Sequence, residues 1–421
     1  MGRFTLAMVL SLIAALVALP QPAGAAKPII VGNGTPASCT ETPLVSALAI
    51  AGATGGGTIK FKCGGGPVTI ALTATLIAPD NTTIDGDGLI TLDGGFPTHF
   101  PARTVLIVEN NAAVVLNNLV ITGGLGSGFG PLIAGGILNE GTLTVKNGIF
   151  FANLGHGGAI VNSGTLTVKD STFVGNRSQG VAGGIVNLGT ATVHNSTFDG
   201  NNGGEGTGGI WNGGTLTVKN STFSHNAGEG GGGVQSLGTL TVTHSTFTSN
   251  STGPFGIGGG ISNGGILTVK NSLFSGNYAG RSAGGGIFNA GTLTVTSSTF
   301  VDNVGLSGGA LFTRSFASLI DSTFSGNSAT EGGGIANFGV VNVVDSTFSE
   351  NEASDGGGIF NAGALTIKDS TITHNAASAA GGGIYVCAEG QVSPVFASPC
   401  AGTLNLKDTV VTENTPDDIF P

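Results

Sequence analysis

Apolar and polar residues alternate in short bursts along most of the chain, separated by glycine-rich stretches. In Gly-Thr-Leu-Thr-Val at 164–168, Leu166 and Val168 fall on one side and Thr165, Thr167 and Lys169 on the other. That is the two-residue period of a half-buried strand. Thr, Val, Ile and Phe favour strands, and glycine runs favour turns. From Gly135 one unit recurs: GGGI-x-N-x-GTLTV-x-x-STF-x-x-N, then a variable stretch. Its phenylalanine column runs Phe150, Phe173, Phe198, Phe223, Phe247, Phe274, Phe300, Phe324 and Phe348, with Ile372 and Val411 closing it. Successive spacings from Phe150 to Ile372 are 23, 25, 25, 24, 27, 26, 24, 24 and 24. A fixed period of this size marks stacked supersecondary units.

The variation is confined to one part of the unit. From the Ile of GGGI to the Phe position the distance is 13 residues in ten consecutive repeats, Ile137/Phe150 through Ile359/Ile372. From the closing Asn to the next Ile it ranges from 7 to 11. One part of each coil is therefore held in register by its neighbours, and the other is a tolerant loop. Such a unit cannot bury an apolar face alone, but stacked coils build continuous Ile, Leu, Val and Phe columns. At about 4.8 Å per coil, eleven coils predict a rod of roughly 50 Å. Two asparagine columns accompany the apolar ones, Asn139 to Asn361 after the inward Ile and Asn153 to Asn414 closing each unit. Asparagine satisfies backbone groups in turns, and aligned side-chain amides can bond from coil to coil.

Residues 27–134 are less regular. Thr40 to Ala51 predicts a short helix, with Thr40 as N-cap and Glu41 in its first turn, placed to cover the open first coil. Strand-like pieces follow at 58–62, 68–72, 82–95 and 104–108, and 124–135 reads as an inserted loop. The chain thus divides into a leader (1–26), an N-terminal cap with irregular early coils (27–134), regular repeats (135–415) continuous with them as one domain, and a tail (416–421).

The segment GTIKFKCGGGPVTIALTATLIAPDNTTIDGDGLITLDGG resembles the opening coils of the pectin-lyase-like right-handed parallel β-helix superfamily. The GGGI…F-x-x-N units resemble the repeats of polymorphic outer-membrane proteins. The resemblance implies an all-β, right-handed parallel β-helix. It leaves activity open, because this fold hosts lyases, hydrolases and adhesins.

Arg3, the apolar run Phe4 to Leu19, Pro20 and the small residues Ala23-Gly24-Ala25 form the three-part pattern of a cleaved export signal. No later segment predicts a membrane span. The 14 basic and 24 acidic residues give −10, and loss of Arg3 would make it −11. With no basic patch, nucleic acid is not an expected partner. The cysteines fall into two local pairs, Cys39/Cys63 and Cys387/Cys400, and export favours two disulfides over buried thiols. Ile384 to Val411 spans 27 residues instead of 13, so 14 are inserted, and Cys387 and Cys400 sit at the two ends of the insertion. Pro416, Asp417 and Asp418 would discourage end-to-end stacking.

Candidate chemistry is sparse. Asp80, Asp85, Asp87 and Asp93 form the densest acidic group and a weak calcium candidate, although Asp-Gly is ordinary turn chemistry. Gly155-His156-Gly157 matches part of a glycosidase element without an acidic pair beside it. A column between the inward Ile and Asn is more informative: Leu138, Val161, Val186, Trp211, Gln235, Ser262, Phe288, Phe312, Ala336, Phe360 and Tyr385. Alternation points it outward, yet most members are large and apolar. Either the glycine-rich loops cover it, or Trp211, Phe288, Phe312, Phe360 and Tyr385 form an exposed binding face. The expected function is a secreted or cell-surface, non-catalytic module binding a polysaccharide or surface protein, without metal or cofactor. The alternative is a polysaccharide lyase or glycoside hydrolase. Regular Thr-x-Thr rows make ice binding a minor third reading.

Overall fold

The computed structural model describes residues 27–97, 103–126 and 133–421; the expected leader (1–26), His99 and the middle of the 124–135 loop lie outside them. The chain is a right-handed parallel β-helix of about 13 turns, as the resemblance implied. Each regular coil carries three strands. The GTLTV and STF strands belong to one 27-stranded parallel sheet and the I-x-N strands to a 14-stranded one. The register is the one the repeat dictates: Leu166 pairs with Ala191, Ala191 with Leu216, and Leu216 with Leu240. Two more coils than the repeats supply come from the irregular early strands, where Thr82–Asp93 and Ala113–Thr122 run around a corner and pair along both halves.

The interior is a set of columns. Phe150 to Phe348 are fully buried, and successive rings stack with centroids 4.5 to 4.9 Å apart, a spacing set by the strand ladder. Beside them the closing asparagines form a continuous chain. Asn226 Nδ2 donates to Asn250 Oδ1 at 2.9 Å and to the Phe198 carbonyl at 2.9 Å, while its backbone N–H donates to the same Oδ1 at 3.1 Å. The pattern repeats to Asn414, so each buried amide has its donors and acceptor satisfied. The other column behaves similarly but substitutes Ser236 and Thr313 as acceptors for Asn212 and Asn289.

A third ladder lies at the corner between the GTLTV and STF strands. The residue at that corner has φ near +50°, as at Asp170, Asn195 and Asn220, where Asn and Asp are the least strained side chains. The serine after it is buried and accepts the previous coil's serine N–H, as Ser196 does from Ser171 at 3.1 Å. Glycine is required where coils meet most closely: a Cβ on Gly214 would lie 2.1 Å from the Gly189 carbonyl oxygen.

Both ends are closed differently. The helix Glu41–Ala53 lays Leu44, Ala47, Leu48 and Ala51 over the first coil. Thr40 occupies the N-cap position but makes no side-chain cap bond. Glu41 instead accepts Thr73 N–H at 2.8 Å, Ala74 N–H at 2.9 Å and the Thr73 hydroxyl at 2.6 Å, tying the helix to the next coil. Burial opposes its ionisation, but these hydrogen bonds outweigh that and lower its pKa. At the other end Asp417 accepts Gly381 and Gly382 N–H, and Asp418 accepts both Asn414 donors, ending the asparagine ladder. The cysteines form two disulfides, Cys39–Cys63 and Cys387–Cys400, with Cα atoms 5.7 and 5.4 Å apart.

Candidate functional site

The apolar outward column does lie along one face of the I-x-N sheet, each member paired with the next. It is not an open stripe. The loops fold back over it, forming their own parallel bridges through Ala182, Thr207, Ala283, Ser307, Glu331 and Asp355. Val161, Ala336 and Phe360 are sealed, Val186 keeps 1% exposure, and Phe288 and Phe312 keep only 7% and 6%. The expected face of Trp211, Phe288, Phe312, Phe360 and Tyr385 is therefore broken up. Trp211 and Tyr385 are half-buried, Phe288 and Phe312 each show an edge, and Phe360 is inaccessible. The cause is packing: small buried residues such as Ala182, Thr207, Ala283 and Ser307 pair from loop to loop over the sheet.

Among the described residues, two apolar-walled clefts open beside this column. The first, about 470 Å³, is walled by Val181, Val186, Leu188 and Trp211, with Glu205 and Gln235 on its rim. The second, about 480 Å³, is walled by Ile257, Phe288, Phe312, Phe338 and Phe396, with Arg314 at its mouth. The Arg314 guanidinium sits 5.5 Å from the centre of the Phe288 ring, a cation–π contact. Three coils separate Trp211 from Phe288, roughly 14 Å at the strand spacing. Phe255, 86% exposed, stands on the loop of an intervening coil.

The second cleft is completed by the insertion between Cys387 and Cys400. This loop runs back along the solenoid as a strap. Phe396 on it packs edge-on against Phe312 and Phe338, with centroids 5.5 and 5.8 Å away. Its anchor is Glu331, a fully buried carboxylate that accepts the Ser393 hydroxyl at 2.6 Å, the Val395 N–H at 2.9 Å and the Ser307 hydroxyl at 3.3 Å. Burial raises the Glu331 pKa; these bonds oppose the rise, and Asp355 in the next coil adds to it. Asp355 and Tyr385 are raised too, both mainly by burial. Because the folded state holds the Glu331 proton more tightly, its contribution is complete below the ordinary glutamate pKa and is lost as pH rises through the raised value. Glu331→Gln keeps the shape without the charge. Thermal unfolding between about pH 4 and pH 8 should show the variant matching the native protein at the acidic end and exceeding it at the neutral end. A variant that falls below the native protein at neutral pH would mean that the charge itself is the anchor.

The weak calcium candidate does not assemble. Asp80 Oδ1 accepts Asn81 and Ala113 N–H, Asp85 accepts Asp87 N–H and Asn118 Nδ2, and Asp93 accepts Gly95 N–H. Asp87 occupies a turn with φ +53°. These carboxylates are turn and ladder acceptors, and among the described residues no group of three or more His, Cys, Asp or Glu is placed to hold a metal. The His156 carbonyl accepts the Ser178 hydroxyl at 2.7 Å. His225 pairs with Asp199 at 2.9 Å and His374 with Glu413 at 3.1 Å, both pairs well exposed. No helix among the described residues is long and apolar enough to cross a membrane.

Arg314, Phe338, Phe396 and Glu331 were not singled out by the sequence. Arg314 carried a signal, a lone basic residue in the position just after the Asn column, where the neighbouring coils have Ala290 and Phe338.

No protein-family model and no curated protein sequence matches the chain. The similarity of its repeats to those of polymorphic outer-membrane proteins therefore stays a sequence resemblance. Among solved structures it is similar to PfbA, a surface adhesin of Streptococcus pneumoniae, at 11% identity and TM-score 0.42 over 82% of this chain and 89% of that one. It is also similar to the A-module of the mannuronan C-5 epimerase AlgE6 of Azotobacter vinelandii, at 12% identity and TM-score 0.44 over 90% and 95%. Likeness at this level concerns the coil architecture and assigns no activity.

Proposed function

We propose that the protein is an exported β-helix module that binds glycan along the outward face of its I-x-N sheet. The observation that carries this reading is the pair of solvent-open clefts on that face, each combining an aromatic wall with a few polar groups. Ligand sites have this composition and size. Two disulfides fit an oxidising compartment, and export through the leader at 1–26 completes the reading. The rigid ladder beneath the clefts would hold them at fixed separation.

A glycan array probed with the purified protein tests this. The single variants Trp211→Ser and Phe396→Ser, each altering a partly exposed cleft wall, should each weaken binding about tenfold or more while far-ultraviolet circular dichroism shows the β-helix still folded at the assay temperature. Unchanged binding in both variants would remove the clefts from the reading. An enzymatic alternative would centre on Asp355 and Tyr385 beside Glu331, where pKa values are perturbed. Glu331, however, is closed off and engaged by the strap, which favours an anchoring role.

A further inference from the structure

We infer that the Trp211 cleft is a subsite for an uncharged sugar residue. The inference rests on the glycan reading above and adds the class of sugar and the groups that select it.

Trp211 is the one tryptophan of the chain. Its inner side closes a small cluster of Ala182 and Val186 with Val181, and its outer side remains open to the cleft. The indole lies over Gly213, where an added Cβ would meet Cη2 at 2.6 Å. Glycine there gives the ring its room. Three further glycines, Gly180, Gly206 and Gly230, line the cleft from three successive loops. A side chain on Gly206 would strike the Val181 carbonyl at 2.3 Å, and one on Gly230 would strike Gln235 Oε1 at 2.5 Å. A side chain at Gly213 or Gly230 would collide with the indole or with Gln235, so glycine at these two positions keeps the slot between them open.

The polar groups at the rim complement one another. The Thr207 hydroxyl donates to Gln235 Oε1 at 3.1 Å, which fixes the amide and turns its NH₂ group into a spare donor. Glu205 is exposed and has no hydrogen bond or ion pair among the described residues, so its carboxylate is a spare acceptor. A flat apolar wall, a donor and a strong acceptor match a pyranose ring, which presents C–H groups on its face and hydroxyls around its edge. A purely apolar ligand would desolvate Glu205 and Gln235 without returning their hydrogen bonds. A uronate or sulfated sugar would bring a second negative charge against Glu205 on a chain of net charge −10. The Arg314 cleft has the opposite character, so charge separates the two sites.

The single tryptophan makes the test direct, since its emission, excited where tyrosine does not absorb, reports on this cleft alone. The protein is titrated with cellohexaose, xylohexaose and mannohexaose, and with hexagalacturonate as the charged probe of equal length. Calorimetry of the same mixtures registers binding anywhere on the protein. At least one neutral hexaose should change the emission saturably, and hexagalacturonate should not. Glu205→Ala, at an exposed loop position, should weaken the neutral ligand about tenfold by removing a charged acceptor. Glu205→Lys should weaken it similarly and admit hexagalacturonate. Calorimetric binding without an emission change would overturn the inference while leaving the glycan reading intact. So would an emission response to hexagalacturonate with Glu205 in place, or neutral binding indifferent to Glu205→Ala. No binding to any glycan by either method, on the array or in solution, would overturn both.

Discussion

Asn250→Leu should cost roughly 4 kcal/mol or more, although it replaces a polar residue by an apolar one of similar size in the interior. Asn250 Oδ1 accepts both the backbone and side-chain N–H of Asn226, and its Nδ2 donates to the Phe223 carbonyl and to Asn277 Oδ1. Leucine would strand the two Asn226 donors and the Phe223 carbonyl away from water, at about 1–3 kcal/mol for each unsatisfied group. The break falls mid-solenoid, where each coil touches only its neighbours. The guanidinium transition should therefore broaden as well as shift, because the two halves lose their coupling. A loss below about 1 kcal/mol with an unchanged slope would mean that the ladder is ornamental to stability.

Phe223→Ala should cost roughly 3–5 kcal/mol, the range for truncating a fully buried aromatic. Its ring stacks on Phe198 and Phe247 at 4.7 Å on each side. Neighbouring coils fixed by their backbone ladders have little freedom to collapse into the gap, which places the cost toward the upper end. Denaturant unfolding with a loss below about 1 kcal/mol would contradict an interior column.

These columns were legible because the ladder that builds them also fixes their spacing. The distance from inward Ile to Phe does not vary over ten consecutive repeats, so core positions could be read off one by one. Cys387 and Cys400 were legible for the same reason: an insertion that leaves and re-enters at one turn must bring its ends together. The corner serines were visible as a letter of the repeat, but their role depends on the left-handed turn before them. The outward apolar column was legible only in direction. Alternation places Phe312 and Phe360 outward, yet whether a loop covers them depends on how the loops of successive coils pack, which no local pattern records. Glu331 shows the limit most plainly. In sequence it looks like Glu205 or Glu229, an acid before a glycine run. Its partner Ser393 lies 62 residues away, in the insertion between Cys387 and Cys400, which follows no repeat.

The most direct test of the account is quenching of Trp211 emission by acrylamide, a neutral quencher, with and without a saturating glycan hexaose. An indole forming one wall of an open cleft should be quenched to an extent between that of free tryptophan and that of a buried residue, and bound glycan should protect it. Complete shielding in the free protein would mean that the loops seal the Trp211 cleft, and would contradict the account.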